Sequence, residues 1–550
     1  MKRLLLLLFV LFLAAPPTLL FAQCPAGTAQ TDLSVNNVLA RLKNSGDIWW
    51  DGNTGTYIIP KEEPDQTSAL FAGAVWLGGI DGGGTLRMLS QTYGTGFGSG
   101  PLNPITGTTN PTDCNNWDKF FQTTSGSIQL HRDDYSPDGV IDGPIPTSIR
   151  GWPARGNQFF ADIHGFELPD QDLAPFFDRN ENGLYEPDLG DFPLVKGDQS
   201  IWWVYNDGGN DVGLEIQANA FAYTSDDAYI DNTTFYEYKF IYRGDTPLTD
   251  TYMALWVDPD LGCYLDDFIG CDPENLMAFV YNGDDFDEDC VGINGYESDI
   301  PMLGIKVIKP FMTPAGDSTD LAYFTYYFNG FDAPFPATAD PAVDLDYYNY
   351  MTGRWLDGTP FSQGGIGYEP GQPGYPYAFD GSDVDGEPWT ECTAGAVPGD
   401  RRLIMSFGPV TLNPGDVREF AFAVLWQPHQ TYPCPDLSPL TTDGALAAQF
   451  FEDKCIEINT VVGTNEPISH KLVRLFPNPM RDEATLRIDL PPDEVQQVVL
   501  RAFNGQVLRI LPGQSSNEYR IAREDLPDGM YFYEVRLKTG QRLSGKLVMQ

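Results

Sequence analysis

Between Val212 and Val257 apolar and polar residues alternate along the chain. Leu214, Ile216, Ala218, Ala220 and Ala222 share one parity, and Glu215, Gln217 and Asn219 take the other. Tyr236, Tyr238, Phe240 and Tyr242 repeat the pattern, with Glu237, Lys239 and Arg243 opposite. A period of two puts successive side chains on opposite faces of a strand, so both runs predict half-buried antiparallel strands, with a third over 252–257. Residues 70–77 are almost wholly apolar, a glycine-rich stretch turns the chain at 78–84, and 86–93 return as a hairpin partner. Neither Lys-Ser/Thr nor a helix start follows those glycines, which argues for a hairpin and against a phosphate loop. A further strand group, 403–407, 410–412 and 417–426, turns at Asn413-Pro414-Gly415-Asp416. Long amphipathic helical stretches are almost absent, and no repeat of 20–50 residues is visible. The expected fold is all-β: a large β-sandwich, jelly-roll-like, over 23–462, in one piece or two subdomains.

The spacing shortens near the C-terminus. After a linker at 463–471 the segment 472–550 predicts strands at 484–490, 495–503, 506–510, 518–521, 530–537 and 542–549, with Asn504-Gly505 as a hairpin turn and Leu526-Pro527-Asp528-Gly529 as another. Short strands at this density predict a small Ig-like sandwich.

Composition adds a strong charge asymmetry. The chain carries 33 Lys+Arg against 77 Asp+Glu, a net charge of -44. From Lys471 onward 12 basic residues face 10 acidic ones, a net of +2, so the preceding residues carry -46. Such a surface repels nucleic acid and anionic lipid and attracts cations, calcium being the natural one outside a cell; a coat that serves solubility or salt adaptation is an equal reading of the bulk of the charge. Lys2 and Arg3 precede an apolar run over 4–15, and Leu20-Phe21-Ala22-Gln23 offers a cut after Ala22. This predicts a signal peptide at 1–22. Gln23 occupies the place where a lipobox needs a small residue, so Cys24 is not expected to be lipidated. No later stretch of 18 apolar residues follows, so no transmembrane segment is expected in the mature chain. All 8 cysteines follow the cut, and an even number in an exported chain predicts disulfides. The favoured local pairings are Cys263–Cys271 and Cys434–Cys455. No CxxC pair supports a zinc ribbon.

Four C-terminal motifs occur in a specific order: Pro477-Asn478-Pro479, Asn504-Gly505, Gly529-Met530-Tyr531 and the ending Lys546-Leu547-Val548. Together they resemble the type A C-terminal sorting domain of the type IX secretion system over its full length. Phe476 departs from the common Tyr but keeps the ring. The resemblance implies export to the cell surface of a Gram-negative bacterium, contact with the type IX machinery, removal of the domain by a cell-surface sortase, and attachment of the mature protein to anionic lipopolysaccharide. More loosely, the Phe71–Trp76, Gly197–Trp203 and Trp256–Gly262 stretches resemble large surface proteins of Bacteroidetes-type bacteria, a likeness that implies no activity.

The acidic region offers candidate chemistry. Asp178-Arg179-Asn180-Glu181-Asn182-Gly183 matches the first half of a calcium loop, with hard oxygen ligands at alternate positions and a glycine for the sharp turn. Asp178, Asn180, Asn182, the carbonyl of Leu184, and Glu186 or Asp191 are the expected ligands; an ordinary Asx-rich turn is the plainer alternative. Leu189 stands where an EF-hand needs Glu, so the loop is EF-like only. A second cluster, Asp258, Asp260, Asp266, Asp267 and Asp272, suits a metal site or a catalytic carboxylate pair, but a solvated loop is the simpler expectation. Of the four histidines, His131, His164, His429 and His470, none lies in HExxH, and no GxSxG occurs. Trp49-Trp50 and Trp202-Trp203 suit sugar stacking less well than core packing. Two functional classes follow. The leading one is a calcium-stabilised surface protein with a structural, adhesive or glycan-binding role and an extracellular glycan or protein ligand. The alternative is a secreted, carboxylate-based glycosidase.

Overall fold

The computed structural model describes residues 24–550, apart from 65, 95, 137–138, 209–211, 463–472, 477, 479, 489–494, 503–506, 525, 528, 539–541 and 550; at 456–462, 474, 530 and 542–546 it describes the backbone alone. The expected signal peptide and linker therefore lie outside the described residues. The chain divides into two compact units, residues 1–454 and 455–550.

The alternating runs form strands as expected. Leu214–Ala222 and Thr233–Tyr242 pair in register, Ala218 opposite Tyr238. They sit within a large antiparallel sheet in the order Asp267–Asp272, Met277–Asn282, Met302–Met312, Val417–Gln427, Thr233–Tyr242, Leu214–Ala222, Gln199–Asn206 and Gly98–Ser99. A second antiparallel sheet runs Leu321–Phe328, Arg401–Leu412, Leu248–Asp258, Ala72–Ile80 and Leu86–Leu89. The hairpin at Asp81 closes through the Asp81 carboxylate, which accepts the Gly83 amide at 2.8 Å.

One apolar core joins the inner faces of the two sheets: Ile216, Tyr236, Tyr238 and Phe422 from the large sheet meet Leu255 and Met405 from the smaller one. Phe407 and Phe420, one from each sheet, pack with ring centroids 5.5 Å apart. The fold is an all-β sandwich.

The outer face of the large sheet departs from the simple alternation. Glu215, Gln217 and Asn219 are buried, not exposed. The segment 101–196 folds over them with its own core, in which Trp117, Trp152, Phe160 and Tyr185 meet Trp202. Leu102 donates its amide to Glu215 at 3.0 Å, and Gln217 donates to the Asp172 carbonyl at 3.1 Å. Arg243 neutralises Glu215 across 2.8 Å. Trp202 thus serves the outer core and Trp203 the inner one, as period two requires.

A long helix, Ser438–Val462, also departs from expectation. Leu440, Gly444, Ala447 and Phe451 are its buried residues among those described, and Phe451 packs on Phe221 and Phe235 of the same outer face. A glycine and an alanine in that stripe, with Thr441 and Thr442 beside it, hide the helical period in the sequence.

The disulfides correct two expected pairings. Cys263 bonds to Cys290, Cys392 to Cys434, and Cys24 to Cys114. Cys271 lies at the far end of Asp267–Asp272; at about 3.3 Å per residue an extended strand carries it on the order of 13 Å from Asp267. That is too far for a bridge to the loop at Cys263, since Cα atoms must come within roughly 7 Å. Cys271 instead turns into the core as a thiol that donates to the Ala378 carbonyl at 3.5 Å. Cys434 is engaged by Cys392, so it does not pair with Cys455.

The second unit has seven strands among its described residues, in a three-stranded sheet (Val473–Phe476, Glu483–Ile488, Glu518–Ala522) and a four-stranded one (Val507–Pro512, Val495–Ala502, Gly529–Leu537, Arg542–Met549). Leu486, Ile488, Val498, Val535 and Leu547 fill the space between them.

Candidate functional site: an acidic cleft at the strand ends

Four strands of the smaller sheet share one edge. Leu248–Asp258 and Leu321–Phe328 end there, and Ala72–Ile80 and Arg401–Leu412 begin there. The antiparallel register sets Asp258 against Ala72, Val257 against Leu403 and Tyr327 against Arg402. Pro259 has no amide hydrogen to continue the ladder, so the chain leaves the sheet there and carries Asp260 over the edge. Asp400 stands just before its strand. Residues distant in sequence thus converge on a cleft of about 610 Å³.

Its floor is charged. Asp258, Asp260 and Asp400 are 1%, 8% and 5% exposed. One carboxylate oxygen from each lies within 4.8 Å of the other two, the only such set of acidic, His or Cys groups among the described residues. Arg402 pairs with Asp400 and directs its Nε–H at Tyr93 Oη, 3.2 Å away. Tyr93 in turn donates to Asp258 Oδ2 at 2.7 Å. Asp258 Oδ1 is 3.2 Å from Arg402 Nε but receives no hydrogen bond. Asn329 donates to Asp400 Oδ2 at 2.8 Å. Asp260 feels only the charges around it: no described group donates a hydrogen bond to its carboxylate.

The electrostatics follow from this crowding. Burial pushes the Asp258 carboxyl up to about 7 against the pull of Arg402. Burial, then repulsion from Asp258 and Asp400, holds Asp260 well above the usual carboxylate range. Burial alone would lower Arg402, but Asp258, Tyr93 and Asp400 outweigh it and keep the guanidinium charged.

The walls are aromatic. Trp50, Phe71, Tyr264 and Tyr347 are half-buried around the opening. Trp50 meets the edge of Tyr93 at 6.1 Å and lies under the Lys43 ammonium at 4.1 Å. Trp49, beside it, is core: its indole donates to Tyr236 Oη at 2.8 Å. Trp49 and Tyr93 hold φ of 69° and 51°, left-handed values that bulky residues seldom adopt and that concentrate at functional sites.

The expected solvated loop is therefore a correction. Asp258 and Asp260 join the cleft, while Asp266 and Asp267 form a separate buried group with Asp287. Asp287 accepts the amides of Cys263 and Tyr296 at 3.0 and 2.6 Å, and Asp267 accepts that of Leu261 at 3.0 Å. Burial, with repulsion among neighbouring carboxylates, pushes Asp266 and Asp287 up to about 7. Asp272 sits at the far end of its strand, away from both groups. Tyr93, Asn329, Asp400 and Arg402 were not singled out from the sequence. The one local signal was the Asp400-Arg401-Arg402 triplet entering an apolar strand.

The EF-like loop gathers its residues in one exposed turn. Asp178 Oδ2 accepts the Gly183 amide at 2.6 Å, and Gly183 takes a left-handed φ of 79°. Asn180 and Asn182 both donate to Glu186 Oε2, at 3.0 and 2.6 Å. Asp191 anchors the loop, accepting the amides of Arg179 and Glu186 at 2.8 Å each. Burial, with Asp178 and Glu186 nearby, raises it to about 6. Leu184 donates its amide to Asn182 Oδ1 at 2.8 Å.

In the second unit Asn478 Oδ1 accepts the Val548 amide at 2.7 Å, and the Met480 amide donates to the Val548 carbonyl at 2.8 Å. Asn478 and Met480 are thereby tied to the final strand, where Lys546 pairs with Phe532. Tyr531 Oη donates to the Pro527 carbonyl at 2.8 Å, and Gly529 opens that strand opposite Met549. Pro477, Pro479 and Gly505 lie outside the described residues.

Among solved structures, a polysaccharide lyase aligns with TM-score 0.17 and 10% identity, over 64% of this chain and 35% of its own. Dimeric latent PorU from Porphyromonas gingivalis aligns with TM-score 0.13 and 10% identity, over 72% and 37%. The chain thus spans about a third of the length of either. No curated protein matches it in sequence. Residues 474–550 match the family described as the secretion system C-terminal sorting domain. With the ordered motifs and the seven-stranded fold of the second unit, this makes the chain a type IX secretion system sorting-domain protein.

Proposed function

We propose that this exported chain acts at the bacterial surface as a non-enzymatic binding protein whose acidic, aromatic-walled cleft takes an extracellular glycan. The observation that carries the reading is the combination at one strand edge of half-buried rings with carboxylates, a guanidinium and the Asn329 carboxamide. Aromatic faces stack on the apolar faces of sugar rings, and carboxylate, carboxamide and guanidinium groups bond to the hydroxyls. A volume of about 610 Å³ is within the range of small-ligand sites. Calcium held by the 178–191 loop belongs to the same reading as a stabiliser of the central unit, as do sortase removal of the sorting domain and attachment to lipopolysaccharide.

The glycosidase reading draws on Asp258, a carboxyl near 7 inside a cleft, which suits a general acid. Its weakness is spacing. Glycosidase carboxyl pairs stand about 5–5.5 Å or about 6.5–9.5 Å apart to flank a sugar bond. Here three carboxylate oxygens crowd within 4.8 Å.

Glycan-array binding by the exported chain, beside a Trp50→Ala variant, tests the proposal. The expected result is a defined set of bound glycans that the variant loses, with no release of new reducing ends on prolonged incubation. Binding unchanged in Trp50→Ala would remove the cleft from the account, and reducing-end release would favour the hydrolase.

A further inference from the structure

We propose that Asp258, Asp260 and Asp400 form a calcium site on the cleft floor, and that the ion completes the surface on which the glycan's hydroxyls bind. The consequence for the glycan rests on the function proposed above; the ion site stands on its own geometry.

Three features carry it. The first is a carboxylate that nothing answers. Asp260 is only 8% exposed, lines the cleft and accepts no hydrogen bond from any described group. Asp258 Oδ1, buried beside it, also receives none. A buried anion without donors is costly, and natural folds keep one where a cation or ligand meets it.

The second is charge. Fully ionised, the three carboxylates against the single guanidinium of Arg402 carry a net −2, which one divalent ion balances. Tyr93 donates to Asp258 Oδ2, Asn329 to Asp400 Oδ2 and Arg402 to Asp400 Oδ1, so Asp258 Oδ1 and the Asp260 carboxylate are the oxygens left for an ion, and Asp400 joins them through the second lone pair of an oxygen already bonded.

The third is distance. Calcium takes oxygen ligands at about 2.3–2.6 Å, so ligands on opposite sides of one ion stand up to about 5 Å apart. The observed limit of 4.8 Å lies inside that span. Magnesium demands near-ideal octahedral geometry at about 2.0–2.1 Å and keeps several waters, which suits a floor of clustered carboxylates less well. Calcium also accepts six to eight ligands, so its open positions face the cleft, where water or paired sugar hydroxyls complete the shell.

The test is calorimetric titration of calcium into the metal-free exported chain and its Asp260→Asn, Asp400→Asn and Asp178→Ala variants. We expect Asp260→Asn and Asp400→Asn each to lose one equivalent that Asp178→Ala keeps. Without calcium, Asp260→Asn is expected to melt no lower than the parent, because the carboxyl it replaces accepts no hydrogen bond from any described group; a purely structural aspartate would melt lower. If the parent bound no calcium, or if both Asn variants kept every equivalent of the parent, the site would be overturned. Loss of the equivalent in Asp260→Asn with no glycan bound by any form would leave the ion site standing and overturn the glycan reading alone.

Discussion

The two units of this chain solve opposite electrostatic problems. Among its described residues the central unit buries eleven carboxylates, with Arg243 on Glu215, Arg401 on Glu391 and Arg402 at the cleft as their guanidinium partners. The sorting unit buries no Asp or Glu among its described residues, and the segment from Lys471 is close to neutral. The central unit also holds all three disulfides. The difference fits the sorting role of the second unit and the binding role proposed for the central one. An address read by a secretion machine needs a stable shape and recognisable strand ends. A unit that receives a ligand keeps unsatisfied charge where the ligand is to bind, and needs covalent and packing stability elsewhere to hold that charge.

Removing the sorting unit should have the largest effect. A chain lacking 474–550 should fold its central unit yet fail to reach the cell surface, remaining in the periplasm; fractionation and protease shaving of intact cells would show this. Normal display of the truncated chain would mean that the sorting unit is not the address.

Next in size is reduction of the disulfides. The bridges close loops of 90, 27 and 42 residues. In the chain-entropy model each contributes about 3.5–4.5 kcal/mol. Reductant should lower the central unit's calorimetric transition by more than ten degrees (on the order of 10 kcal/mol in all) and leave that of the sorting unit in place. Peptide mapping of the oxidised protein should recover Cys263 linked to Cys290, with Cys271 as a thiol.

A smaller effect is expected from pH. Asp266 and Asp287 titrate near 7 in the folded unit and near the ordinary 3.8 when unfolded. The folded form therefore binds these protons more tightly, and the stability they lend is complete below about 4 and lost as pH rises through 7. In chelator, the central unit should melt several degrees higher at pH 6 than at pH 8, and Asp266→Asn should flatten that slope. The sorting transition, with no buried carboxylate among its described residues, should stay nearly level.

The smallest expected effect is at the exposed loop. Asp178→Ala removes the carboxylate that holds the Gly183 amide, a change worth about 1 kcal/mol without calcium. If calcium fills the loop, the variant should also lose part of the stabilisation that calcium gives, about 2.7 kcal/mol at a hundred times the dissociation constant. An equal chelator effect in parent and variant would assign that stabilisation elsewhere.

What could be read from the sequence followed the range of the interactions. Period two in 214–222 and 236–242 marked two neighbouring strands and their inward faces, because alternation is local. It gave no sign that Glu215 and Gln217 would be covered, since the covering residues lie at 102 and 172. The sorting motifs were legible because each is a short local run of residues in a fixed order, such as Gly529-Met530-Tyr531 at the start of a strand. The cleft was half legible. Asp258 and Asp260 stood out as a local acidic pair, but Asp400, Arg402 and Tyr93 reach them only through the order of strands in a sheet. The cysteines failed for the same reason: nearness along the chain favoured Cys263–Cys271, and strand direction brought Cys290 to Cys263 instead.

The most direct test of the account is a crystal of the exported chain grown in calcium, with anomalous scattering recorded to locate the ion. An anomalous peak is expected among Asp258, Asp260 and Asp400, with its open side toward Trp50 and Tyr264. A peak confined to the 178–191 loop, with the three cleft carboxylates still in mutual contact and no ion between them, would contradict it.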